Sequence, residues 1–294
     1  MKRITFWVLL TLSTVSFAVT DEQQDTIRQY LEANDWDQAL ELAEELVDEY
    51  PESSKAHYLL ASAMRVKMQQ VNQMRAMFIL DDYQEALATA IELDPDNIAA
   101  RTEEIGFYMM APEIAGGDRE LAAEKIKALK QIDAISGLQM EARLATVNED
   151  TAMAAEALQQ LLQLKPNSPG ALMQLAMIAM DQGDYLQADE YLLRITAEED
   201  AGWPLLAQYQ RAKARVVAKQ DSDTAIDLLT QYQKALPETE SSMNLPDDSV
   251  VYWRLALAHE NKGDRSKAIE LLQKSVQLNG DFEPAKDDLD RLSD

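Results

Sequence analysis

Only two histidines, His57 and His259, and no cysteine occur in the 294 residues. The side chains that most often hold a transition metal, attack a carbonyl or shuttle a proton near neutral pH are therefore almost missing. Neither histidine has a second one at metal-ligand spacing. Carboxylates are the reverse case. With 52 Asp and Glu, many pairs share a helical face by chance, so no pair marks itself as an acid and a base. Asp94-Pro95-Asp96-Asn97 begins as a calcium loop does. It lacks the Asp or Asn and the Gly that an EF-hand places next, and the same residues suit a turn. The sequence has no phosphate-cradling Gly-rich loop, dinucleotide fingerprint or nucleophile elbow. The chemistry to expect is binding without turnover: no enzyme, no cofactor, no metal.

The elements that would position a binding surface are helices. From Gly170 to Asp200, Leu172, Leu175, Ala176 and Ala179 keep a three-to-four-residue apolar spacing; Gln182-Gly183-Asp184-Tyr185 interrupts it, and Ala188, Leu192 and Ile195 resume it. This predicts a helix, a turn with Gly183 at positive φ, and a second helix capped by Asp184. Such a pair buries only part of its apolar face, so similar neighbours must stack on it. A small residue near the start of the second helix recurs at Ala39, Ala86, Ala122, Ala154, Ala188, Ala225 and Ala268. Four residues on stand Ala43, Ala90, Ile126, Leu158, Leu192, Leu229 and Leu272. Prolines close the units at Pro51, Pro95, Pro166 and Pro237.

This pattern resembles the tetratricopeptide repeat (TPR), and Ala154 and Ala188 stand 34 residues apart, the family period. The resemblance implies an all-α fold, a right-handed α-solenoid of about seven helix-turn-helix units with a C-terminal capping helix from Phe282 to Leu292. It also implies a concave groove lined by the first helix of each unit. The positions that fall there are Met109, Met110, Gln139, Arg143, Met173, Met177, Met180, Trp253 and Leu257. Methionine is flexible and polarisable, so this surface suits an apolar peptide or helix. Some TPR domains clamp a chaperone's terminal carboxylate with Lys and Asn; repeat five presents Met173 and Met177 instead, which implies a different ligand. His259 occupies a position usually filled by a packing aromatic residue. Together, the Asp94–Asn97 turn and the Ala111-Pro112 to Gly117 segment resemble a subgroup of exported bacterial TPR proteins.

Three departures from the period stand out. Repeat two carries roughly ten extra residues around Val66 to Arg75, which should lengthen its two helices. Repeat three inserts Pro112 to Gly117, a shaped connector in which Asp118 caps the helix that follows. After Pro237 comes a polar insertion, Glu238 to Ser249, fit for a mobile loop. In repeat six, Arg211, Lys213, Arg215 and Lys219 form the main basic patch and are expected to pair with acidic neighbours.

With 9 Gly, 9 Pro and 6% aromatic residues, the composition favours helices over a sandwich or barrel. Residues 1–18 read as a cleaved signal peptide: Lys2-Arg3, an apolar run to Val15, and Ser16-Phe17-Ala18 before the cut. That leaves 19–294 as the TPR domain, periplasmic in a Gram-negative cell, with no stable membrane anchor after cleavage and no cysteine for lipidation. The formal net charge of −25 argues against nucleic acid and would draw a protein or peptide partner with basic flanks. The function to expect is a scaffold or adaptor of the cell envelope; the alternative is a periplasmic holdase for exported clients.

Overall fold

The computed structural model describes residues 18–197 and 200–293. All of the expected signal peptide except Ala18 lies outside the described residues. Among those residues there are fifteen α-helices and no strand. They are α1 (Asp21–Glu32), α2 (Trp36–Glu49), α3 (Ser54–Gln70), α4 (Gln73–Leu93), α5 (Ile98–Met110), α6 (Arg119–Ile132), α7 (Ala134–Val147), α8 (Thr151–Leu164), α9 (Pro169–Asp181), α10 (Tyr185–Leu193), α11 (Gly202–Ala218), α12 (Ser222–Ala235), α13 (Asp248–Asn261), α14 (Arg265–Leu278) and α15 (Glu283–Ser293). The chain divides into two compact units, one ending at Met140 and one beginning at Glu141, so the division falls within α7. No described helix is long and apolar enough to cross a membrane.

The small residues near the start of each second helix are all buried, as are the seven residues one turn further on. That is the packing reason for the pattern. An alanine lets the paired helix approach closely, and the side chain four residues later lies over the same face. In the carboxy-terminal unit one cluster joins Leu205, Tyr209, Leu229, Tyr232, Val251, Leu255 and Leu272 to Ala285 and Leu292 of α15, so the last helix closes the end of the stack. The polar outer side that exposes Asp287 and Asp290 suits a cap.

The hairpin turns repeat one piece of chemistry. A residue with positive φ, at Asn34 (60°), Glu149 (59°), Gly183 (78°) and Gly263 (82°), precedes an aspartate in each case. The aspartate amide donates back across the turn: Asp35 to Tyr30 O at 2.8 Å, Asp150 to Ala145 O at 2.8 Å, Asp184 to Ala179 O at 2.8 Å and Asp264 to His259 O at 2.9 Å. The last three carboxylates then cap the second helix, accepting from Met153, Gln187 and Lys267 at 2.9, 3.0 and 3.1 Å. Glycine takes this conformation freely, whereas Glu149 bears the steric cost of its Cβ. Glu149→Gly is therefore expected to stabilise the protein by about 0.5–1 kcal/mol, offset in part by the looser unfolded chain. Thermal unfolding followed by circular dichroism reads this as a rise of about 1–4 °C; a fall would mean that the turn holds Glu149 by contacts worth more than the strain.

The three departures behave differently. The extra residues of repeat two lengthen its helices, to 17 residues in α3 and 21 in α4. The second of these starts at Gln73, where the Asn72 side chain accepts from the Arg75 amide at 3.0 Å. The insertion of repeat three folds into a short 3-10 turn, Glu113–Ala115, followed by Gly116 at φ 87°. Gly117 is fixed by space: a Cβ there would lie 1.8 Å from the Ala111 carbonyl oxygen. The polar insertion after Pro237 is tied down on both sides. Ser241 and Ser242 donate to the Asp200 carboxylate, and the Tyr232 hydroxyl donates to Pro246 O at 2.7 Å. Four donors, two of them the Gly202 and Ser242 amides, hold the Asp200 carboxyl down at about 2.

Candidate functional site

The nine positions expected to line a groove separate into buried and open ones. Met109 (1% exposed) and Met173 (6%) are packed away, so neither lines an open surface, and both are corrected to core residues. The reason lies in helix geometry. A first helix presents one side to its own partner, another to the next unit and a third outward, and successive residues turn by about 100°. Met173 faces Leu172, Ala176, Leu192 and Ala207 in the core between α9, α10 and α11. Met110, one residue beyond Met109, is exposed. Gln139 and Arg143, one turn apart on α7, are exposed as well.

Met177 (47% exposed) and Met180 share a surface in the carboxy-terminal unit. With Asp181 of α9, Tyr185 of α10 and Lys213, Ala214 and Val217 of α11 they line a cavity of about 110 Å³. Val217 also borders a second hollow of about 480 Å³ with Arg254 and Leu257 of α13, Glu260, Asn261 and Arg291. Met177, Met180 and Leu257 therefore belong to one continuous strip across α9, α11 and α13, the first helices of three successive hairpins. Sequence reasoning missed Val217, Lys213 and Arg254. The spacing of Lys213, Ala214 and Val217 as i, i+1 and i+4 on one face of α11 was the available signal.

Trp253, expected in the groove, is half-buried and structural in its contacts. Its indole nitrogen donates to Asp288 at 2.8 Å, its ring meets Phe282 edge-on with centroids 5.4 Å apart, and the Arg254 guanidinium lies 4.1 Å from the ring centroid. The three basic residues of α11 divide by face. Arg211 and Arg215 converge on Asp189 of α10, with Nε and Nη1 at 2.7 and 2.8 Å from Oδ1. Lys213, half-buried on the open side, makes no ion pair within 4 Å, and its pKa is pushed down by burial first and then by the charge of Arg254, against Asp181.

The residues considered for metals and acid-base work have ordinary structural roles. His57 Nε2 lies 2.9 Å from Pro51 O. His259 packs at the end of α13, where burial pushes its pKa below the usual imidazole value despite Asp264 nearby. In the Asp94–Asn97 turn, Asp94 accepts from the Asp96 amide, Asn97 accepts from the Ala100 amide, and the Asn97 amide group donates to Ser54. That turn is a helix cap. Among the described residues no three His, Cys, Asp or Glu side chains converge as metal ligands would.

The tetratricopeptide repeat family models match residues 25–66, 140–204 and 250–289, half of the chain in all. No curated protein matches the sequence. Among solved structures, the Cut9–Hcn1 hetero-tetramer of the APC/C aligns over 94% of this chain and 49% of its own, at 17% identity and a TM-score of 0.61. The chain thus spans about half the length of that relative. A tetratricopeptide repeat protein from Parabacteroides merdae aligns over 93% and 98%, at 14% identity and 0.52. PilW, a type IV pilus biogenesis factor, aligns over 76% and 97%, at 18% identity and 0.50. At these identities the likeness concerns the fold. With the repeat models, the buried small residues and the recurring Asp-capped turns in agreement, the chain belongs to the tetratricopeptide repeat family.

Proposed function

We propose that this chain is a non-catalytic adaptor that holds a segment of a protein partner against the strip on α9, α11 and α13. The observation that carries the reading is the exposure of Met177 beside Met180, Val217 and Leu257, which border two hollows between the helices. Adaptable apolar side chains over a rigid helical frame bind segments without large rearrangement. Similar structures, a hetero-tetramer in one case and a pilus biogenesis factor in the other, agree with assembly work. The acidic surface elsewhere favours basic flanks on the partner. The signal-like start supports a periplasmic location on this reading, as part of the cell envelope.

Crosslinking in cells from a photoreactive residue at Met177, with the same probe at exposed Glu44 of α2 as control, tests it. One dominant protein captured from Met177 and none from Glu44 is the expected result. Many clients at Met177 would replace the adaptor by a holdase, and equal labelling at both sites would refute a binding strip altogether.

A further inference from the structure

From the charges on this strip we infer that its occupant carries an acidic side chain, whose carboxylate seats between Arg254 and Lys213 while neighbouring apolar side chains lie on Met177, Met180 and Leu257. The inference rests on the adaptor reading and adds the chemistry of the ligand.

Arg254 is the unusual group. Its side chain borders the larger hollow, yet the residue is only 8% exposed and its Nε is buried without a hydrogen-bond partner. Among the described residues it has no carboxylate within 4 Å. Every other arginine near it is paired: Arg211 and Arg215 with Asp189, and Arg291 with Glu260 at 2.6 Å and Asp288 at 2.7 Å. Leaving a buried guanidinium donor unmet is costly, and a ligand reaching the rest of the guanidinium from the hollow would offset that cost.

The surroundings hold Arg254 ready. The guanidinium is stacked 4.1 Å from the Trp253 centroid, and Trp253 is fixed by Asp288 and Phe282 of the terminal hairpin. Lys213, next along the strip on α11, also has no ion pair among the described residues, and the opposing charge that acts on it is that of Asp181. Gln210, one turn before Lys213 and Ala214, has a buried Oε1 with no donor. Glu260 faces the same hollow but is occupied by Arg291. Lys213 and Arg254 border the two hollows that meet at Val217, and each charge is felt by the other, so one carboxylate lying across Val217 can face both. Basic flanks would then lie beyond this seat, against the acidic surface.

The test uses an array of acetylated and amidated nonapeptides with apolar residues around one central position, varied among Asp, Glu, Asn, Gln, Lys and Arg. The probe is the purified protein, and the best peptide is then titrated by fluorescence anisotropy. Glu or Asp is expected to bind about tenfold or more tighter than Gln or Asn, the size of one charge-assisted hydrogen bond. In Arg254→Met that preference should fall below about threefold while apolar selection persists. In Met177→Ser overall affinity should fall while the acidic preference remains. Removing an unmet buried charge should leave the thermal midpoint of Arg254→Met unchanged or higher. A Gln preference equal to Glu, a preference that survives Arg254→Met, or binding confined to peptides with a free carboxy terminus would each overturn the inference and leave the adaptor standing. Failure of every apolar peptide to bind would overturn the adaptor reading with it.

Discussion

Leu192→Ala is expected to destabilise the carboxy-terminal unit by about 2–5 kcal/mol, while Leu186→Ala, on the same nine-residue helix, changes stability by less than about 0.5 kcal/mol. Both remove the same atoms from α10. Leu192 is 1% exposed, locked among Leu172, Met173, Ala176, Ala188, Ile195 and Ala207, and its loss leaves a cavity that three helices must share. Leu186 is 82% exposed and has nothing to leave behind. Because each hairpin leans on its neighbours, the damage should appear locally. Hydrogen exchange is expected to quicken through α9, α10 and α11 and stay unchanged in α1 and α2. Urea denaturation supplies the free energies. A cost at Leu192 below about 1 kcal/mol would mean that the site collapses around the missing side chain.

That contrast also shows what periodicity reveals and what it hides. The positions of Ala188 and Leu192 were legible because the same face recurs along the chain, and the turns were legible because Gly-Asp at Gly183 and Gly263 repeats one backbone requirement. The outward side of each first helix was not. Met109 and Met110 are neighbours of identical chemistry, and 100° of rotation buries one and exposes the other. Family register pointed to both, just as it pointed to Met173 along with Met177. Long-range ties were equally invisible: nothing near Glu238 to Ser249 announces that Asp200, some forty residues earlier, will hold Ser241 and Ser242. Basic residues on α11 read as one patch. Their spacing already held the answer, since Arg211 and Arg215 are one turn apart and Lys213 lies between them, about 200° around the helix from each.

Asp189 is expected to make stability depend on acid in a narrow window. Burial by itself would raise its carboxyl pKa; hydrogen bonds from Arg215 and Arg211, with their charges, override this and bring it down to about 2 from an ordinary 3.8. Arg215 reaches both oxygens, Nη1 to Oδ1 at 2.8 Å and Nη2 to Oδ2 at 3.1 Å. A carboxylate whose folded pKa lies below its unfolded value adds stability above the unfolded pKa, and that stability is lost as pH falls through the folded one. Here the contribution is complete above about pH 5, mostly lost by pH 2 and gone near pH 1. The shift corresponds to at most about 2 kcal/mol, since all three side chains are about one-fifth exposed. Asp189→Asn also leaves two guanidinium groups facing a neutral amide, so its cost at pH 7 should be about 2–3 kcal/mol. Measured by urea denaturation, the gap between wild type and Asp189→Asn is expected to stay constant from pH 7 to 5 and to narrow between pH 4 and 2. Other acid-sensitive carboxylates, Asp200 and Glu270 among them, are common to both proteins and cancel in that difference. A gap that stays fully open at pH 2 would show that the amide is tolerated worse than a protonated acid and that the loss is one of packing; a gap already closed at pH 5 would mean that α10 and α11 are held together without the ion pair.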